Sequence, residues 1–236
     1  MSIYAIGDLH LSFAEDKPMD VFGENWTNHE EKIKENWVKN VKQNDYVILP
    51  GDFSWAMHLK DAVPDFEYLN GLPGNKILIK GNHDYWWETV TKMDNFLAEK
   101  NIKDIHFLNC TAFEHEKNII VGTKGYNFGE IEKDEKLRNR EFIRLSLSIK
   151  YAKENFDYDN SKIICALHYP PITKNIVKAN QSNEFIDLLR ENNIHKCIYA
   201  HLHGRSFLNA FNGTYKGIEF DLVSSDFLNF NIFKVV

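Results

Sequence analysis

Five short apolar runs, each followed within a few residues by side chains of metal-ligand type, constrain the fold of this chain more than any other feature. Ile3 to Ile6 leads to Asp8 and His10, and Val47-Ile48-Leu49 leads to Asp52. Ile77-Leu78-Ile79 leads to Gly81-Asn82-His83-Asp84, Ile163 to Leu167 leads to His168, and Cys197-Ile198-Tyr199 leads to His201 and His203. The runs are too short for helices and rich in Ile and Val, and helical spacing separates them, so they read as buried strands of largely parallel sheet. Ligands of open sheets gather beyond the carboxyl ends of the strands. Residues scattered from position 8 to position 203 are therefore expected to converge in one cleft.

Three amphipathic stripes between the runs predict helices that cover the sheet: Ile33, Trp37 and Val41; Trp86, Val90, Met93 and Leu97; and Phe142, Leu145, Ile149 and Ala152. Pro64 is read as starting or interrupting a helix that ends at Asn70-Gly71, and Ser182 is read as the cap of a helix carrying Phe185 and Leu189. After His203 the helical pattern stops. Phe207 to Phe211, Ile218 to Val223 and Asn229 to Val235 read as short antiparallel strands, joined through Asn212-Gly213 and Ser224-Ser225-Asp226. Strands alternating with helices, then strands alone, imply two stacked sheets with helices outside, the second carrying the carboxyl-terminal hairpins. The Lys and Glu run from Ile131 to Leu137 reads as a solvated loop and helix start.

At 236 residues and 43% hydrophobic side chains, with no internal linker, the expectation is one domain over residues 1–236. A formal charge of -6 provides no general field for phosphate backbones, which weighs against a nucleic-acid partner without removing it. No stretch reaches 18 apolar residues and the amino terminus enters a strand at once, so neither a membrane span nor a secretion signal is expected, and a cytoplasmic location is. Cys110, Cys165 and Cys197 are widely spaced beside apolar runs and read as free thiols of a reducing compartment.

Asp8, His10, Asp52, Asn82, His168, His201 and His203 offer carboxylate, amide and imidazole donors without thiolate. Such a set suits a borderline divalent ion: manganese first, iron or zinc as alternatives. Seven donors are too many for one ion. With Asp52 shared, each of two ions about 3.5–4 Å apart has four protein ligands and keeps open positions, as catalytic rather than structural sites do. Alone, His10 or His168 would more often be a packing histidine, and Asp52 or Asn82 a turn cap. The ordered set outweighs those readings. His29, His58, His106, His115 and His195 fit none of the blocks and are assigned to the surface.

Asp8-Leu9-His10, Gly51-Asp52, Gly81-Asn82-His83-Asp84, His168 and His201-Leu202-His203 resemble, in order and spacing, the signature of calcineurin-like metallophosphoesterases, from residue 8 to residue 204. The resemblance implies an α/β fold, a four-layer α-β-β-α sandwich with two mixed sheets. It implies that Asp8, His10, Asp52 and His203 hold one ion, while Asp52, Asn82, His168 and His201 hold the other. It also implies that a hydroxide bridging the ions attacks phosphorus in line, that the unliganded His83 assists the leaving oxygen, and that Asp84 orients its imidazole. Asp84 has a second reading, as the cap of a helix beginning near Tyr85.

The block after Asp52 reads Phe53-Ser54-Trp55-Ala56, without the arginine that the protein serine/threonine phosphatases of this superfamily carry there. Arg138, Arg140 and Arg205 are the other arginines weighed as phosphate contacts, with surface ion pairs favoured for each. Trp55, Tyr126, Tyr169, Trp86 and Trp87 lie near the blocks and are candidates for stacking on substrate or for core packing. Hydrolysis of a small phosphomonoester or phosphodiester is the expected activity. A nuclease or cyclic-nucleotide phosphodiesterase with the same metal chemistry, and a non-catalytic protein-binding scaffold, are the alternatives.

Overall fold

The computed structural model describes residues 1–128 and 134–236, which fall into two compact units: Met1–Phe107 together with Val223–Val236, and Leu108–Leu222. The loop part of the Lys and Glu run, Ile131 to Lys133, lies outside the described residues.

The first unit holds a sheet of β1 (Ile3–Ala5), β2 (Tyr46–Pro50), β3 (Asn75–Ile79), β4 (Ile105–Phe107) and β11 (Phe233–Lys234). Its order is β11-β1-β2-β3-β4; β1 to β4 are mutually parallel and β11 is antiparallel to β1. Helices α1 (His29–Asn40), α2 (Val63–Asn70) and α3 (Val90–Glu99) flank it. Ile33 and Trp37 of α1, Phe66 and Leu69 of α2, and Met93 and Leu97 of α3 meet Val47, Leu49 and Leu78 of the sheet in one apolar core. The residues of α1 and α3 belong to the stripes that the spacing predicts, with two adjustments. Val41 follows the end of α1, and Trp86 lies in a turn before α3, whose cap is Thr89, its hydroxyl accepting from Lys92 N at 3.4 Å. Pro64 stands in the first turn of α2, as the sequence implies.

The second unit holds β5 (Phe113–His115), β6 (Asn118–Thr123), β7 (Lys162–Leu167), β8 (Lys196–Tyr199), β9 (Gly213–Tyr215) and β10 (Ile218–Leu222) in the order β5-β6-β7-β8-β10-β9. Its four central strands are parallel and its two edges antiparallel. Helices α4 (Glu135–Asn155), α5 (Lys174–Lys178) and α6 (Glu184–Glu191) belong to it. Leu145, Ile149 and Ala152 of α4 and Phe185 and Leu189 of α6 pack with Val121, Cys165, Leu167, Cys197 and Tyr199 of the sheet. The chain therefore has the α/β architecture of two mixed sheets flanked by helices.

Four local readings are corrected. Asn183, not Ser182, caps α6: its side chain accepts from Phe185 N and Ile186 N at 3.1 Å each, while Ser182 Oγ donates to Asp187. Gly204–Asn209 is a 3-10 helix in place of a strand from Phe207, because Ser206 Oγ accepts from His203 N and donates to His203 O, tightening the turn. The hairpin turn falls at Lys216-Gly217, both at positive φ (49° and 83°), and not at Asn212-Gly213. The last strand is only Phe233–Lys234, and it joins the first sheet rather than the second.

Asp65, in the first turn of α2, is buried and ties two loops together: its carboxylate accepts from Phe13 N at 3.0 Å and from Ser54 Oγ. Burial pushes its carboxyl up from 3.8 to about 6, against the pull of those hydrogen bonds. The native state then holds a proton that the unfolded chain has released, so stability falls as pH rises from about 4 to about 6 and is flat above. Asp65→Asn should remove that slope, about 3 kcal/mol at full effect. Thermal unfolding of both proteins across pH 4–7 checks it.

Candidate functional site

In the first unit the parallel pairing of β1, β2 and β3 sets their carboxyl ends side by side, so the three loops that follow are neighbours. The first two run on as a short ladder: Asp8 N donates to Gly51 O, His10 N to Asp52 O, Leu11 N to Phe53 O and Trp55 N to Leu11 O, all at 2.9–3.0 Å. Along it Asp8, His10 and Asp52 take left-handed φ values of 56°, 48° and 51°. Non-glycine residues rarely do so, and such backbone concentrates at functional sites. The turns bury all three side chains, and His10 Nε2 lies 3.9 Å from Asp52 Oδ2. Asp52 Oδ1 also accepts from His83 N at 2.8 Å, which attaches the third loop.

Asp84 is fully buried and makes neither of the interactions expected of it. Its Oδ2 accepts from Gly81 N at 2.7 Å and Asp52 N at 2.9 Å. Its Oδ1 accepts from Phe53 N at 2.9 Å, Ser54 N at 3.3 Å and Trp86 Nε1 at 3.0 Å. It thus clamps the Asp52 and Asn82 loops instead of touching an imidazole or opening a helix. Burial first, and the Asp52 carboxylate second, push its pKa up, while the backbone donors oppose them. A carboxylate with five N–H donors around it matches its surroundings only when ionised.

Gly81 permits the close approach of these loops, because a Cβ there would overlap Asp52 Oδ1 and the Asp52 backbone nitrogen. Gly81→Ala should therefore cost about 3 kcal/mol, the upper end for overpacking, since backbone has to move. Denaturant unfolding of the variant measures this.

His83 carries no clamp of its own: its buried Nδ1 has no hydrogen-bond partner among the described residues. Rings surround it instead, Trp55 at 4.5 Å, His10 at 5.9 Å and Tyr85 at 6.3 Å between centroids. Sequence reasoning missed Ser225, whose Oγ donates to Asp8 O at 2.7 Å and whose N donates to Gly7 O at 3.0 Å. Nothing local marks it, for Ser224-Ser225-Asp226 reads as an ordinary turn.

In the second unit His168 follows β7, and His201 follows β8 after Ala200. The two strands are parallel neighbours, and Ala200 N donates to His168 O at 3.1 Å. Their imidazoles meet edge to face at 5.0 Å, with Tyr169 4.5 Å from His201. His201 has a φ of 75°, and His203 precedes the 3-10 helix, held by the Ser206 bonds described above. All seven expected donors thus stand just beyond the carboxyl ends of parallel strands, four in the first unit and three in the second.

The donor set fits divalent ions. Buried Asp8 and Asp52 need positive charge to offset desolvation, and oxygen and imidazole nitrogen without thiolate suit a borderline cation. Of the other expected residues, Arg138 makes a surface ion pair with Glu184 at 2.9 Å, while Arg140, itself exposed, pairs with the buried Glu141 at 3.1 Å. Trp86 is core. Tyr169 is half-buried against the histidines, and Tyr126 packs on Phe128. His29 is not a surface residue: it is buried, with Nε2 3.1 Å from Leu9 O, and burial pushes its pKa down.

No curated protein sequence matches the chain. Solved structures do resemble it. A protein of unknown function from Aquifex aeolicus is 18% identical, with 99% of this chain and 95% of that one covered and a TM-score of 0.51. Phosphopantetheinyl hydrolase from Mycobacterium tuberculosis is 13% identical, with 94% and 88% covered and a TM-score of 0.55. TT1561 of Thermus thermophilus is 15% identical, with 85% and 81% covered and a TM-score of 0.55. At these identities the likeness is one of fold. The family model of the calcineurin-like phosphoesterases matches residues 1–205, a span that includes every expected donor, and the chain belongs to that family.

Proposed function

We propose that the chain is a metal-dependent phosphohydrolase of small phosphomonoesters or phosphodiesters, acting in the cytoplasm as one functional domain over residues 1–236. The observation that carries this reading is the placement of all seven donors beyond the carboxyl ends of β1, β2, β3, β7 and β8, inside the span matched by the family. Asp8, His10, Asp52 and His203 would hold one ion, and Asp52, Asn82, His168 and His201 the other. Manganese is the first choice, with iron or zinc as alternatives. When bound, such a pair makes hydroxide available from water near neutral pH and neutralises phosphoryl oxygens.

The chain's own residues supply the rest. Asp52 is fixed through its backbone by Asp84 and through its carboxylate by His83 N, so a shared ligand would be held in place before anything binds. Asn82 sits between the clamped Gly81 and His83, which fixes its backbone in the same way. His83, outside the ligand set, would protonate or hydrogen-bond the departing oxygen. Asp84 serves as a positioning residue for both loops. Among the described residues no helix is long and apolar enough to cross a membrane. A small phosphorylated substrate is the proposed partner.

Protein stripped with a chelator should hydrolyse neither p-nitrophenyl phosphate nor bis-p-nitrophenyl phosphate, and should regain activity with about two equivalents of Mn²⁺. No hydrolysis with Mn²⁺, Fe²⁺ or Zn²⁺ would overturn the reading in favour of a protein-binding scaffold. A strong diester preference would move it to a nuclease or cyclic-nucleotide phosphodiesterase.

A further inference from the structure

We infer that Trp55 is the positioning residue that holds the His83 imidazole, a role the family resemblance implies for Asp84. The inference deepens the proposed function and rests on it for its kinetic meaning, but its structural content stands within the first unit alone. The His83 ring needs something to fix it, since its buried Nδ1 has no partner among the described residues and Asp84 is engaged by five other donors.

Trp55 is placed to do it. Its indole stacks on His10 at 4.9 Å with 24° between planes and leans on His83 at 4.5 Å with 48° between planes. One side chain thus touches a proposed metal ligand and the proposed proton donor. Trp55 is itself held at three points: its backbone N donates to Leu11 O at 2.9 Å, its indole Nε1 donates to Met19 Sδ at 3.2 Å, and Lys17 Nζ lies 5.4 Å from the ring centroid. With one face given to His10, and with Lys17 also over the ring, the indole is occupied by protein rather than offered as a platform for substrate. Packing on an aromatic wall fixes ring orientation without setting the tautomer.

The first test needs no metal and no activity. Histidine-selective labelling of the metal-free protein should show His83 ring protons displaced by the indole ring current from the positions of an exposed histidine such as His58. Trp55→Leu, which keeps bulk without a ring, should bring them to the exposed position, and Trp55→Phe should leave them displaced. Unchanged His83 resonances in Trp55→Leu would overturn the inference.

The second test compares esters with good and poor leaving groups, p-nitrophenyl and phenyl phosphate. Trp55→Leu should lose about tenfold or more on the poor leaving group, little on the good one, and no bound metal, while Trp55→Phe stays within about threefold of wild type on both. Equal losses on the two esters together with lost metal would mean that Trp55 only supports the His10 loop, and the inference would fall. If His83→Ala shows no leaving-group dependence while the resonance test succeeds, the acid role of His83 fails and its placement by Trp55 stands.

Discussion

Alanine in place of His83 should lower kcat by about 10²–10⁴-fold while leaving bound metal at the wild-type level. The reason lies in what His83 does not share with its neighbours. Asp8, His10 and Asp52 are buried at left-handed turns and belong to the donor set, whereas the His83 ring rests among Trp55, His10 and Tyr85 with one nitrogen unpartnered among the described residues. Its backbone N–H, which supports Asp52, survives truncation to alanine. Metal analysis alongside steady-state kinetics separates the outcomes: loss of metal in step with activity would make His83 a ligand or a structural residue rather than a proton donor.

Asp84→Asn should be the most damaging conservative change in the first unit. Whichever way the amide is turned, its NH2 faces at least two of the N–H groups that now point at carboxylate oxygens, either Gly81 and Asp52 or Phe53, Ser54 and Trp86. Charge-assisted bonds in burial are worth about 1.5–3 kcal/mol each, so losing two costs about 3–6 kcal/mol. For a chain of this size that lowers Tm by on the order of 10 °C. Calorimetry measures it directly, and a Tm within about 2 °C of wild type would show that the loops hold themselves.

The strands, and the positions of donor-type side chains just past their ends, were legible because both depend on local pattern. An apolar run followed by Asp-x-His or Gly-Asn-His-Asp states its own strand end, and β1, β2, β3, β7 and β8 all fall where those runs lie. The supports were not legible. Trp55 and Ser225 act on residues reached only through folding, Ser225 on the carbonyl of Asp8 across 217 positions. Asp84 looked like a cap because Asp before Tyr85-Trp86 is a good cap sequence, yet five backbone and indole donors from two loops outweigh one helix end. Ile218 to Val223 was legible as β10, but Phe207 to Phe211 and Asn229 to Val235 misled for a related reason: aromatic and branched residues favour strands, whereas Ser206 closes a 3-10 turn and the last run pairs with β1 only at Phe233–Lys234.

The first unit is assembled from two separated stretches, Met1–Phe107 and Val223–Val236, with the uninterrupted second unit between them. A ribosome making this chain therefore finishes every residue of Leu108–Leu222 before the last piece of the first unit exists. At about 5–20 residues per second, the delay is on the order of ten seconds. Throughout that interval β1 presents the open edge that β11 will cover, and the Asp8 turn waits without Ser225 beneath it. Translation that stops just short of residue 223 would release a polypeptide with all seven proposed ligands, yet with the first of them still unbraced.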